Sequence, residues 1–351
     1  MTAGRYRVSL AVCLLLIAYA SLYPFAPLRL PNPELLAAFL PKPRHVIAFD
    51  VAINIAAYLP LGLLATLHLA GDGPRSRAIP RAIAFAAAFS LAMETFQLFL
   101  PNRVASFHDV LANTAGAAAG AFAFADPVYS MVTRPLGRWR EEALIPGAWG
   151  DAGLVLLVLW LIAQLNPALP FFGAGNIAPA DDAAASFSVL ESSGVALGVC
   201  GFGLFVSAIL RGEQGSLRVT LVLLSIALWL KFLGASFLLQ PHLTEDWVTS
   251  GRFVALAAGL AALAPLRRIP RAGRTYVAIL AILAGDLLSK IFGAYSPLEE
   301  LLRLFRWPYG QLANFTTLTR FVHELWPFAA LTFLVALFLR DRHAARAIIG
   351  R

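Results

Sequence analysis

Residues 217–239 read LRVTLVLLSIALWLKFLGASFLL. As a helix this stretch is ~34 Å long, enough to cross a hydrocarbon core of ~30 Å. Its apolar residues lie on every side, whereas a helix on the surface of a soluble core would carry a polar stripe. Such a segment satisfies its own backbone hydrogen bonds and is stable in lipid. Nine further stretches have the same character: 8–27, 47–69, 80–100, 106–125, 149–169, 193–210, 251–266, 275–294 and 323–340, of which 193–210 is short and glycine-rich. The sequence therefore predicts an all-α, polytopic integral membrane bundle of about ten transmembrane helices. Composition agrees, with 59% hydrophobic and 14% charged residues and a mean hydropathy of +0.72, against about 25% charged residues in soluble domains.

The net charge of +8 does not point to nucleic acid, because the arginines fall between apolar spans and not on one polar face. Their placement sets orientation instead. With the N-terminus cytoplasmic, 18 of the 28 Lys and Arg residues lie on the inner side, in the groups Arg5–Arg7, Arg75–Arg81, Arg134–Arg140, Arg211–Arg218, Arg267–Arg274 and Arg340–Arg351. Eight lie outside: Arg29, Lys42, Arg44, Arg103, Arg252, Arg303, Arg306 and Arg320. Both termini are thus expected in the cytoplasm of a bacterial inner membrane. Ala18-Tyr19-Ala20 resembles a signal-peptidase site, but the apolar run continues through Phe25, which favours an uncleaved helix. Three expected regions follow: 1–127 as a four-helix membrane domain, 128–148 as a cytoplasmic interfacial linker around Arg134, Arg138, Trp139 and Arg140, and 149–351 as a six-helix membrane region. Residues 170–192 and 295–322 are longer than connectors need and are expected outside; the second, with Trp307-Pro308-Tyr309, reads as interfacial.

Within the first region, polar residues pair at helical spacing: Asp50 with Asn54, Glu94 with Gln97, Asp109 with Asn113. An acid at mid-bilayer costs on the order of 2.5–3.5 kcal/mol, so these faces turn inward. Asp50 and Asp109 open inward-running helices, and Glu94 lies ~21 Å along an outward-running one. All three share the outer-leaflet depth, within reach of Arg103 in the following loop. A structural ion-pair network and a ligand site are both open readings of Glu94, Asp109 and Arg103.

These residues, in order, resemble a known family. Asp50 and Asn54-Ile55 followed by Leu59-Pro60-Leu61-Gly62, then Glu94-Thr95-Phe96-Gln97, Arg103, and Asp109-Val110-Leu111-Ala112-Asn113-Thr114-Ala115-Gly116 with Gly120 look like the VanZ-like family. The resemblance covers residues 8–125. It implies an envelope-associated membrane protein with a glycopeptide-resistance-like role, since the family's named member is associated with low-level teicoplanin resistance; it implies no reaction. Residues 149–351 match no motif.

Other residues are read on their own chemistry. Pro60 kinks its helix; Gly62 and Gly116-x-x-x-Gly120 read as close-packing faces. His108 beside Asp109 lacks metal-ligand spacing and reads as an interfacial histidine. Cys13 and Cys200 read as small hydrophobes, and no metal or other cofactor motif is found. Asp286 and Lys290, four apart, neutralise each other or let the lysine snorkel. Lys231 has no acid on its own helix and calls for a partner elsewhere, so it joins the candidate ligand set. The expected partners are membrane lipids or a lipid-linked envelope precursor, bound at the outer leaflet by Asp50, Asn54, Glu94, Gln97, Arg103, Asp109, Asn113 and Lys231, with Arg252 nearby. An ion- or proton-coupled transporter is the alternative, disfavoured by the lack of internal repeats. An intramembrane acid/base enzyme using Glu94 or Asp109 is a second, with no nucleophile or metal set beside it.

Overall fold

The computed structural model describes residues 6–31, 39, 48–71, 73, 75–123, 131, 134–172, 189–212, 215–241, 250–292, 297–306 and 311–349. Lys42, Arg44, Asp181, Asp182, Trp307-Pro308-Tyr309 and the side chains of Glu191 and Arg252 lie outside that set. Among the described residues there are twelve helices and no strand beyond two isolated bridges. They are α1 (Arg7–Leu22), α2 (Ala48–Ala70), α3 (Arg75–Gln97), α4 (Phe107–Phe122), α5 (Arg134–Ala143) and α6 (Ala148–Gln164). The rest are α7 (Val189–Ile209), α8 (Ser216–Leu238), α9 (Ser250–Leu266), α10 (Arg271–Phe292), α11 (Leu298–Arg303) and α12 (Gln311–Ile349). Each of the ten expected spans overlaps one of these helices, although 8–27 and 149–169 run past the ends of α1 at Leu22 and α6 at Gln164; α5 and α11 are additional, short and partly charged. Six helices are long and apolar enough to cross a membrane: α2, α3, α7, α8, α10 and α12. Helices α1, α6 and α9 are shorter but apolar. The chain is a multi-pass, all-helical membrane protein.

The chain divides into two units, Met1–Glu141 with Tyr309–Leu318, and Glu142–Pro308 with Thr319–Arg351. In the first, α2 packs on α4, α3 and α1, and α3 on α4. The α2–α4 contact is backbone on backbone. A Cβ on Gly120 would stand 1.9 Å from the Leu59 carbonyl oxygen, and one on Gly62 1.9 Å from that of Ala117. The close-packing reading of these glycines holds.

The second unit is built round α7, the segment whose length made it the weakest span on paper. Its membrane window is 72% buried, against 22–39% for the other five long helices. The glycines that weaken it as a hydrophobic run let α10 and α9 approach: a Cβ on Gly201 would meet Ile282 at 2.7 Å. Its Phe202 and Phe205 are fully buried, with Phe202 stacked on Trp160 of α6 at 4.1 Å and Trp326 of α12 5.7 Å from Phe205. The Trp326 indole N–H donates to the Leu156 carbonyl at 2.7 Å, as a buried indole must find an acceptor.

Arginines close the open ends of helices in this unit. The last carbonyls of a helix have no intrahelical donor and carry partial negative charge. Arg271 donates to Ala208 O at 3.1 Å at the end of α7, and Arg306 to Leu239 O at 2.7 Å and Ser236 O at 3.1 Å at the end of α8. Arg274, 4% exposed, donates to Ser207 Oγ at 2.9 Å. Arginines read from sequence as markers of topology are therefore also structural donors.

Candidate functional site

The polar residues of the first unit gather where α2 begins, α3 ends and α4 begins. Asn54 and Tyr58 share one face of α2; Ser90, Glu94 and Gln97 share one face of α3; Asp109 and Asn113 share one of α4. Asn54, Tyr58, Ser90, Glu94, Gln97 and Asn113 are all buried. They face protein because the opposite faces carry exposed Leu59, Leu91, Phe96 and Leu111, which suit lipid.

Glu94, 4% exposed, accepts the backbone N–H of Ser106 at 2.8 Å through Oε2. Ser106 is the N-cap of α4 and uses no side-chain cap of its own, so the carboxylate sits at the positive end of that helix. Asp109 in the first turn of α4 and Arg103 in the preceding loop both lie within electrostatic reach of Glu94. Asp50, half-buried, opens α2 one turn before Asn54.

Arg103 does not spend its hydrogen bonds on the acids. Nε donates to Tyr23 O at 2.9 Å and Nη2 to Ala20 O at 3.0 Å, and Nη1 donates to Asn314 Oδ1. Gln97 donates to Ser21 O at 3.1 Å. Together they close the C-terminus of α1, as Arg271 and Arg306 do elsewhere. Burial lowers the pKa of the Arg103 guanidinium and the Glu94 charge opposes that shift; an arginine stays protonated regardless. The sequence expectation placed Arg103 against carboxylates; geometrically it is a helix cap with a carboxylate nearby. The acceptors on Ala20, Ser21 and Tyr23 are main-chain oxygens, so no side-chain pattern in the sequence announces this cap.

Deeper between α2, α3 and α4 the polar atoms are incompletely used. Asn113 Nδ2 donates to Ser90 Oγ at 2.9 Å, while Asn113 Oδ1 and Asn54 Nδ2 are buried without a partner. The Tyr58 hydroxyl, on a residue 3% exposed, lies beside Ser90. Tyr58 and Ser90 were not singled out from sequence, although their spacing of four from Asn54 and Glu94 was there to be read.

Lys231 belongs to the second unit. It is 3% exposed, and its ammonium donates to Leu169 O at 2.7 Å and Asn166 O at 3.0 Å. Both carbonyls lie in the turn after α6, which Asn166 shapes by accepting Ala168 N–H at 3.0 Å and donating to Thr319 Oγ1 at 2.9 Å. The inward-facing lysine was expected; main-chain carbonyls as its acceptors were not. Asp286 and Lys290 pair at 2.9 Å, as their spacing indicated. His108 is half-buried, and no group of three His, Cys, Asp or Glu side chains suited to a metal occurs among the described residues.

Neither curated proteins nor solved structures give a match to this chain. A family model described as VanZ/LLP1 matches residues 8–129, which hold α1 to α4 and every polar residue of the first-unit group save Asn314. Residues 8–129 of this membrane protein are a VanZ-like domain.

Proposed function

We propose that the VanZ-like domain holds the polar head of a cell-envelope lipid or lipid-linked precursor at the outer face of the bacterial inner membrane, in keeping with a glycopeptide-resistance-like role. Asn54, Tyr58, Glu94, Asp109 and Asn113 supply the contacts; Gln97 and Arg103 keep the end of α1 in place beside them. The observation that carries this reading is the pair of buried amide atoms with unspent capacity, Asn54 Nδ2 and Asn113 Oδ1, close to the buried Glu94 carboxylate. Leaving such a group unpaired costs about 1–3 kcal/mol each, and native folds rarely keep two together without a use. A donor and an acceptor beside a carboxylate suit a hydroxyl- or amide-bearing head, such as a sugar or peptide, better than a bare phosphate. Asp50 opens α2 one turn before Asn54, whereas Lys231 lies in the second unit, serves the turn after α6 and is not part of this group.

The test is to profile by mass spectrometry the lipids that co-purify with the full chain and with its Glu94→Gln and Asn113→Leu variants. An envelope lipid or lipid-linked precursor enriched with the wild type and lost from both variants, at unchanged helix content, is expected. Identical profiles from all three would overturn the proposal.

A further inference from the structure

The second unit contains a cavity of its own, about 80 Å3, between α6, α7, α10 and α12. That space admits a group of several heavy atoms, since one water needs only ~10–15 Å3 by such a measure. Its floor is aromatic: Trp160, Phe171, Phe172 and Trp326. Its rim is charged: Asp286 and Lys290 from α10, His323 and Glu324 from α12. Asp286 pairs with Lys290 at 2.9 Å, and Glu324 pairs with Arg320 at 2.9 Å. In each pair one member is substantially exposed, Lys290 at 41% and Glu324 at 49%, and ion pairs of that kind exchange partners easily.

The level of this cavity in the membrane follows from the two helices that frame it. At one end Arg271 of α10 pairs with Asp341 of α12 at 3.4 Å, beside Arg340 and Arg274. At the other, Lys290 lies over the Phe328 ring of α12 at 4.3 Å, so the helices run antiparallel. Lys290 is ~28 Å along α10 from Arg271, and Glu324 ~26 Å along α12 from Asp341. The arginine-rich end and the cavity rim are thus separated by about one hydrocarbon thickness. The rim stands at a headgroup level, and exposed Leu287, Ile291, Leu325 and Phe328 continue from it along the same two helices.

We infer that this cavity takes the head of a zwitterionic phospholipid, with its ammonium toward Asp286, Glu324 and the aromatic floor, its phosphate toward Lys290, and its acyl chains along the exposed apolar side chains. Asp286 and Glu324 are matched by Lys290 and Arg320, so the rim carries no net charge and suits a head bearing both charges better than a bare anion or a bare cation. Aromatic faces attract an ammonium through their quadrupole. This inference concerns the second unit and stands or falls separately from the proposal for the VanZ-like domain.

The test uses the purified full chain and dihexanoyl lipids that differ only in their heads: ethanolamine, choline and glycerol. Binding is read by native mass spectrometry, with free phosphoethanolamine as the soluble competitor. The zwitterionic lipids should bind at least about tenfold more tightly than the glycerol lipid, and the combined Asp286→Asn and Glu324→Gln variant should lose that preference. Equal or tighter binding of the glycerol lipid by the wild type would overturn the inference whether or not the variant folds. Binding of free phosphoethanolamine as tight as that of the lipid would overturn the phospholipid assignment. The Gly137→Ala variant, altered outside both sites where an added Cβ meets nothing within 4 Å, should keep the full preference.

Discussion

Gly120→Ala adds one carbon to one of the two tightest contacts of the VanZ-like domain. That Cβ would stand 1.9 Å from Leu59 O, 2.8 Å from its carbonyl carbon and 3.0 Å from Leu63 N. None of these is the end of a flexible side chain, so relief requires α2 and α4 to separate by roughly 1 Å or more, and a gap of 0.5–1 Å already forfeits a quarter to a half of each contact's attraction. Overpacking a close-packed site costs about 1–3 kcal/mol. Helix propensity works the other way, since alanine is favoured over glycine by about 0.8–1 kcal/mol. Gly137 on α5 isolates that opposing effect, because its Cβ would meet nothing within 4 Å. Gly137→Ala should therefore leave stability unchanged or raise it slightly, while Gly120→Ala should lower it by up to about 2 kcal/mol net. The assay is thermal unfolding of the two purified variants in the same detergent, followed by circular dichroism. Equal midpoints for Gly120→Ala and Gly137→Ala would refute the claim that backbone contact holds α2 against α4.

Arg103→Ala should destabilise the first unit by about 1.5–3 kcal/mol, the range for hydrogen bonds from charged groups, because Ala20 O and Tyr23 O lose their donor. Arg103→Lys should fall between the two, keeping charge near Glu94 but not the fork that spans α1 and Asn314; hydrogen exchange at residues 17–23 would report the loss as fraying of α1. Lys231→Met keeps the aliphatic stem and deletes the ammonium, leaving the Asn166 and Leu169 carbonyls without that donor. A loss of about 1–3 kcal/mol is expected, read as a lower unfolding midpoint; an unchanged midpoint would show that the ammonium does not hold the turn after α6.

Much of this architecture was legible in the order of residues, and the reason is that lipid imposes a local rule. A stretch of apolar residues must close its own backbone hydrogen bonds, so each expected span could be recognised without knowing its neighbours. The glycines facing Leu59 and Ala117, the i,i+4 pair of Asp286 and Lys290, and the VanZ-like motifs are local in the same sense. Helix-face spacing likewise turned Asn54, Glu94 and Asn113 inward, and all three are buried. Tertiary structure alone decided who answers the main chain. A carbonyl at a helix end accepts whichever donor is brought to it, and no side-chain pattern records its need; so Arg103 closing α1 from eighty residues away, Lys231 serving the turn at 166–169, and the assignment of Tyr309–Leu318 to the first unit were invisible in sequence. The same holds for α7. Its short, glycine-rich run is a poor span judged by hydropathy, yet it is the most buried of the six long helices, because glycines that reduce hydrophobicity also permit neighbours to close in on it.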